Sequence, residues 1–215
     1  MDAGFLLERV MMIVPLLLSL SVHEYAHAWS AWRLGDDTAA RQGRLTLNPM
    51  AHIDPIGTLL LPLMGVPFGW AKPVPINPAG FDRRFNMRTG MMISAAAGPA
   101  SNIVLAVLST VVYGLLYRFS PGTVVGNSGI AALLGMMIQI NVVLALFNLL
   151  PVYPLDGSRV VDGLISEKHR PTWESINRFA PFLLLGVIVF GGTFINGPRM
   201  FLTGLLNKLL IFIAV

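Results

Sequence analysis

The chain has 215 residues, no cysteine, 54% apolar residues and only 12% charged ones, with a formal charge of +4. About a quarter of a soluble domain is charged, so this composition points to a polytopic membrane protein. The missing thiols exclude disulfides and cysteine-based metal sites, which leaves His, Asp, Glu and backbone oxygen as metal donors. The modest positive balance fits cytoplasmic loops, and no basic block or aromatic–basic interleaving marks a nucleic-acid partner.

Residues 5–34 read as one helix of about 45 Å, interrupted only by Pro15 and long enough to cross a bilayer. The run opens with Asp2 and Glu8 instead of a basic region, so it is not expected to be a cleaved signal sequence. Near its far end stands His23-Glu24-Tyr25-Ala26-His27. Positions i and i+4 share a helix face, so both imidazoles can reach one metal ion, and Glu24 can act as the base that activates water. H-E-x-x-H alone is a short pattern. Inside an uncharged Leu/Val/Met-rich stretch it gains weight, because an intramembrane carboxylate is costly and usually functional.

Gly35-Asp36-Asp37 ends that helix, and residues 36–50 are polar and expected outside the lipid. The apolar stretch 52–70 is broken by Pro55, Gly57, Pro62, Gly65, Pro67 and Gly69. Such a density of Pro and Gly opposes a straight helix, and the pattern predicts a re-entrant or β-hairpin segment whose backbone is covered by protein. His52 and Asp54 are expected to form the turn at its lip. The following run, Gly69-Trp70-Ala71-Lys72-Pro73-Val74-Pro75-Ile76-Asn77-Pro78, must be extended.

Residues 91–117 are uncharged and form a clear span. Gly90, Ser94 and Gly98 recur at spacing four, a small-residue stripe for close helix approach. Asn102, beside Gly98-Pro99, is expected to satisfy backbone freed by the proline. Residues 120–129 read as a loop and 130–150 as the next span, closed by Pro151 and Pro154. Within that span Asn141 is expected to make an interhelical hydrogen bond or to reach a substrate. Residues 156–178 are polar, and 179–195 and 200–215 are apolar runs parted by Asn196-Gly197-Pro198, read as a helical hairpin. The expected fold is therefore one all-α polytopic membrane domain over residues 1–215, with about five or six transmembrane helices and a re-entrant or β-hairpin segment after the first. Its core is about 5–165 and its C-terminal hairpin about 179–215. With the N-terminus outside, 11 of the 15 basic residues fall in inner segments, so the positive-inside rule selects a multi-pass cell-membrane topology with the H-E-x-x-H towards the cytoplasm.

Two His ligands leave a catalytic zinc one protein ligand short. Asp2 and Glu8 lie at the wrong end of the first helix, and Asp36 and Asp37 lie in the polar loop. Asp156 follows an uncharged span within Asn148-Leu149-Leu150-Pro151-Val152-Tyr153-Pro154-Leu155-Asp156-Gly157, where two prolines stop the helix and Gly157 lets the chain turn.

At this point the chain resembles the site-2 protease family of intramembrane zinc metalloproteases, peptidase family M50. The matching pieces are His23-Glu24-Tyr25-Ala26-His27, Gly69 to Pro78, Ala97-Gly98-Pro99-Ala100-Ser101-Asn102 and the Asn148…Pro151…Pro154…Asp156-Gly157 run. The resemblance implies one Zn²⁺ per chain held by His23, His27 and Asp156, Glu24 as the base, and Asn148 as a polar group near the substrate backbone. It also implies single-span membrane proteins as substrates, cut in or near their transmembrane segments. The chain is expected to be a compact member, without a PDZ-like insert or CBS-like domain. A substrate helix must unwind before attack, and Lys72, Val74 and Ile76 of the extended run could hold the unwound strand, with Asn141 a further candidate contact. A zinc transporter would need ligands on both sides of the membrane, and the outer halves of the spans hold no His, Asp or Glu apart from Glu8. An inactive scaffold would have no use for Glu24.

Overall fold

The structure, a computed structural model, describes residues 3–65, 69–125 and 128–215, and the side chains among these except at 3–10 and 128. Helix α1 (Ala3–Arg33) is followed by the single turn α2 (Thr38–Arg41) and a 3₁₀ turn at Pro49–Ala51. A π-helical segment, Pro55–Leu60, runs into α3 (Leu61–Leu63), and an extended return over 69–77 leads to a 3₁₀ turn at Pro78–Gly80. Then come α4 (Met87–Phe119), α5 (Pro121–Val125), α6 (Ser128–Asn148), α7 (Asp156–Leu164), α8 (Arg170–Asn177) and α9 (Ala180–Ala214). Among the described residues there is no strand, so the fold is all-helical. Three helical stretches, Met87–Phe119, Gly129–Asn148 and Ala180–Ala214, are long and apolar enough to cross a membrane.

Local sequence explains the irregular pieces. Asn48, Asp54 and Asn77 each precede a proline, and each side chain accepts from backbone N–H groups of the turn that follows. An Asx cap with proline at the first helical position satisfies orphan donors and pre-sets φ. Asp54 does this at the lip of the Pro/Gly-rich segment, as its sequence suggests, accepting from Ile56 at 3.0 Å and Gly57 at 2.7 Å.

Three expectations need correction. The segment after α1 is not a β-hairpin over its described part. It is helical on the way in and extended on the way out. Its limbs meet through Trp70 N–H to Gly57 O at 3.3 Å, the Thr58 hydroxyl to Trp70 O at 2.7 Å, and Lys72 N–H to His52 O at 2.9 Å. The capped proline starts a helical turn where a strand ladder would need the N–H that proline lacks. Its tip, 66–68, lies outside the described residues. Likewise the C-terminal segment is a single helix of 35 residues that passes through Pro198, with Ile195 and Leu206 buried on either side. In apolar surroundings nothing competes for the helical hydrogen bonds, so Asn196-Gly197-Pro198 does not end the helix. The loop expected at 120–129 contains the short helix α5, with Pro121 at its start.

Helix α4 is the centre of the bundle and touches α1, α6, α7 and α9. Its buried positions include Gly90, Ser94, Gly98, Asn102, Ala106, Thr110 and Gly114. The small-residue stripe seen over three positions thus continues over seven, all at spacing four, a row that winds round the helix and lets several neighbours approach closely, α1 at Gly98 and α9 at Gly114. Ala106 joins Ile138, Val142 and Leu206 in one apolar cluster, and Ala31, Leu34 and Phe81 form another near the end of α1. At the start of α4, the Arg88 guanidinium donates to the carbonyls of Asp162 at 3.1 Å and Ile165 at 3.0 Å and pairs with Glu167 at 2.5 Å. That clamp fixes α7, and hence Asp156, against α4.

Candidate metal centre

His23 and His27 sit one turn apart on α1, edge to face, with ring centroids 4.6 Å apart and Nε2 atoms 3.0 Å apart. Asp156 opens α7. The prolines after Asn148 break the helical ladder, and the chain turns through short-range bonds from Val152 N–H to Leu150 O and from Leu155 N–H to Val152 O, both 2.8 Å. Gly157 is required there, because a Cβ would lie 2.2 Å from Leu149 O. The turn delivers the Asp156 carboxylate to the histidines, with Oδ2 3.2 Å from each Nε2. All three residues are buried, with 4%, 6% and 9% of their surfaces exposed.

The hydrogen-bond polarity of the site tests whether a cation fits. His27 Nδ1 is 2.8 Å from the Ser94 carbonyl, which can only accept, so Nδ1 carries a proton and the neutral ring presents its lone pair on Nε2. His23 Nδ1 is 2.6 Å from Asn102 Oδ1 and its Nε2 also points inward. Two imidazole lone pairs and a carboxylate oxygen therefore crowd together, an arrangement that repels itself without a cation between them. Tetrahedral zinc ligands at ~2.0–2.1 Å lie ~3.3 Å from one another, close to the spacings of 3.0 and 3.2 Å here. His–His–carboxylate is a donor set of catalytic zinc sites, which keep a fourth position open. Gly98 forms the floor, since a Cβ there would come within 2.4 Å of His27 Nε2 and 2.7 Å of His23 Cε1.

Glu24 is buried beside this group, and its Oε2 accepts from Val74 N–H at 2.8 Å. Val74 belongs to the extended return, which is tied down at several points. His52 O accepts from Lys72 N–H, Arg44 donates to Lys72 O at 2.6 Å, and Asp36 Oδ2 accepts from Asn77 N–H at 2.7 Å. Asp36, one of the loop carboxylates weighed as a ligand, is an anchor for this strand instead. Lys72 is exposed, Val74 is half-buried, and Ile76 packs on the Ala31–Leu34–Phe81 cluster. Asn148 ends α6 and its Nδ2 donates to Leu144 O at 3.0 Å. Asn141 is completely buried among helices, bonded to Asn102 and Ser19, and is not on a face open to a substrate.

The site thus draws together His23, His27 and Asp156 as expected, and adds residues that the motifs do not name. Asn102 does not serve the backbone freed by Pro99. Its carbonyl oxygen holds His23. Ser94 and Gly98, read as packing residues, supply the His27 acceptor and the floor. The available signal was an amide in an uncharged span, which in lipid must find a partner.

A helical membrane bundle with a buried His–His–carboxylate cluster that fits zinc, and a carboxylate of the same helix alongside, defines the class of membrane zinc metalloproteases. Peptidase family M50 matches residues 120–190 of the chain, which include Asn148 and Asp156. The chain is 39% identical over 186 residues to the "Putative zinc metalloprotease YwhC" of Bacillus subtilis, covering 84% of this chain and 81% of that protein. It is 37% identical over 149 residues to Rip2 of Mycolicibacterium smegmatis, named in the same way, covering 69% of this chain and 54% of that protein. With Rip2 of Mycobacterium tuberculosis H37Rv it shares 31% identity over 188 residues, 87% of this chain and 69% of that one. No solved structure matches the chain. The chain belongs to peptidase family M50 and is a zinc-dependent membrane metalloprotease.

Proposed function

We propose that this protein cuts peptide bonds in or near transmembrane segments of other membrane proteins, with His23, His27 and Asp156 holding one zinc ion and Glu24 as the general base. The observation that carries the proposal is the convergence of three lone-pair atoms, 3.0–3.2 Å apart, against the central helix of a membrane bundle. Zinc bound there supplies Lewis-acid polarisation of the scissile carbonyl and shifts the pKa of water towards ~7. The residues of the chain supply the rest. Val74 N–H fixes one oxygen of Glu24, leaving the other to take a proton from water and return it to the leaving amine. Asn148 commits its Nδ2 to Leu144 O, and a second N–H on the same nitrogen remains to meet negative charge on the substrate carbonyl oxygen.

The extended return holds the substrate. Lys72 and Val74 turn their N–H groups into the protein, and Pro73 and Pro75 have none. The outer edge therefore offers carbonyls to an unwound substrate strand, flanked by the Lys72, Val74 and Ile76 side chains. Counting α1 with the three apolar helical stretches gives four crossings, fewer than the five or six expected from the sequence, because Ala180–Ala214 is one helix and not a hairpin of two. With the N-terminus outside, the metal centre then faces the cytoplasmic side of a cell membrane, where the basic segments lie. The partners are single-span membrane proteins within the bilayer.

The test is to purify the full chain, measure zinc by elemental analysis, and assay a reconstituted single-span substrate. Glu24→Gln should abolish cleavage and keep the zinc, whereas Asp156→Ala should lose both. An Asp156→Ala protein that retains zinc and cleaves at the parent rate overturns the proposal.

A further inference from the structure

Beneath the metal centre, away from lipid and water, three helices meet through two side-chain amides and a hydroxyl. Ser19 on α1, Asn102 on α4 and Asn141 on α6 are each 0% exposed. Their bonds form one connected chain, and its direction is forced. Asn141 Nδ2 lies 2.8 Å from Met137 O and 2.8 Å from Ser19 Oγ. A backbone carbonyl can only accept, so this atom is the amide nitrogen and the opposite one is the oxygen. Ser19 Oγ gives its own proton to Pro15 O at 2.7 Å, so it accepts from Asn141. Asn141 Oδ1 then faces Asn102 at 2.8 Å, which must present its nitrogen there, the same nitrogen being 3.4 Å from Ser19 O. Asn102 is left with its oxygen towards His23, 2.6 Å from Nδ1. His23 must therefore be protonated on Nδ1, and its neutral ring carries the lone pair on Nε2, the atom facing His27 and Asp156.

The two histidines reach the same tautomer by different means. His27 is set directly by a backbone carbonyl. His23 has a side-chain amide as its partner, and an amide can rotate to present either end. Asn141 and Ser19 remove that freedom. We propose that Asn102 is a positioning residue for His23, and that Asn141 with Ser19 acts one step back by locking Asn102. The relay holds the His23 tautomer and ring plane and so raises zinc affinity. The inference rests on the proposed role of His23 as a ligand. Partners that bond the far nitrogen of a ligating histidine are typically worth ~10–100-fold in metal affinity.

The test measures zinc dissociation constants by chelator competition, and the d–d absorption of the cobalt-substituted protein, on the folded full chain. Asn102→Leu keeps volume but removes the acceptor, and should weaken zinc by ~10–100-fold and alter the cobalt spectrum. Asn102→Asp keeps an acceptor for His23 Nδ1–H and should stay much nearer the parent. Asn141→Leu touches no ligand, yet should weaken zinc and change the cobalt spectrum in the same direction. Thr110→Val is the control. It removes another fully buried polar group of α4, bonded at 2.9 Å to Ala106 O, and should leave both readings alone. Folded Asn102→Leu with parental affinity and spectrum overturns the inference. If that variant does not fold, Asn141→Leu decides by the same readings. Equal weakening by Thr110→Val also overturns it, since a general loss of bundle stability would then suffice. A parent protein that binds no zinc, or an Asp156→Ala variant that keeps it, rejects instead the reading of the metal site.

Discussion

The Val74 amide donates to the Glu24 carboxylate at 2.8 Å, so the proposed general base is oriented by the same extended segment that is proposed to hold the substrate. Fifty residues separate the two in sequence, and the bond couples strand position to base position. Val74→Ala keeps the amide and should turn over at close to the parent rate. Val74→Pro deletes the donor and frees the carboxylate, and kcat should fall at least ~10-fold, since general bases contribute ~10²–10⁴. Zinc content should not change in either variant. Ile76→Pro leaves Val74 N–H in place and probes the strand alone. Its effect should appear mainly in KM, measured with a reconstituted substrate.

Gly98 makes a separate prediction. An added Cβ meets His27 Nε2 at 2.4 Å and Cε1 at 2.5 Å, contacts that force the imidazole to move. Gly98→Ala should therefore fold and insert normally but hold zinc weakly, losing it on dialysis against a chelator that leaves the parent loaded. Gly135→Ala in α6 is the comparison, because nothing lies within 4 Å of the new atom. Alanine there should be neutral or stabilising by up to ~1 kcal/mol, with zinc unchanged. Elemental analysis of the two purified variants separates a clash at the site from a general effect of glycine replacement.

The extent to which the sequence anticipated this arrangement follows from the range of each interaction. The His23–Glu24–His27 spacing is local, set by one helical turn, and Asp156 stands out as a carboxylate just beyond an uncharged span. The stripe on α4 was readable because spacing four is also local. The role of Asn102 is not legible from local sequence, because its partner lies 79 residues away on another helix, and nothing near Pro99 reveals it. The continuity of α9 through Asn196-Gly197-Pro198 depends on apolar surroundings, in which helix-breaking propensities measured in water lose force. The re-entrant segment was legible as irregular from its prolines, but helix against hairpin was settled by Asp54 capping.

Removing the metal should destabilise the protein as well as silence it. Without the metal, the two Nε2 atoms and Asp156 Oδ2 remain within 3.2 Å of one another in a buried site with no ion to bridge all three. Binding to the folded state alone stabilises it by RT ln(1 + [L]/Kd), about 2.7 kcal/mol at a hundredfold excess over Kd. The chelated protein should melt at lower temperature in detergent, and added zinc should restore both Tm and cleavage. His23→Leu should melt with no response to chelator. A Tm that stays constant through removal and return of zinc contradicts this account.

Asp36 provides the sharpest separation between a ligand and an anchor. Its carboxylate is 1% exposed and accepts from Thr38 N–H at 3.0 Å, the Thr38 hydroxyl at 2.5 Å and Asn77 N–H at 2.7 Å. It therefore joins the end of α1 to the far end of the extended return, while Glu24 holds the middle. Hydrogen bonds to a charged group are worth ~1.5–3 kcal/mol each, so Asp36→Ala should cost stability and loosen the strand from Asn77 back towards Val74. Asp36→Asn has the same shape and one good acceptor, and should recover part of both losses. Zinc content should match the parent in both variants, because the anchor lies apart from the metal centre. Cleavage should fall in Asp36→Ala with zinc in place, and loss of zinc in that variant would return Asp36 to the list of candidate ligands.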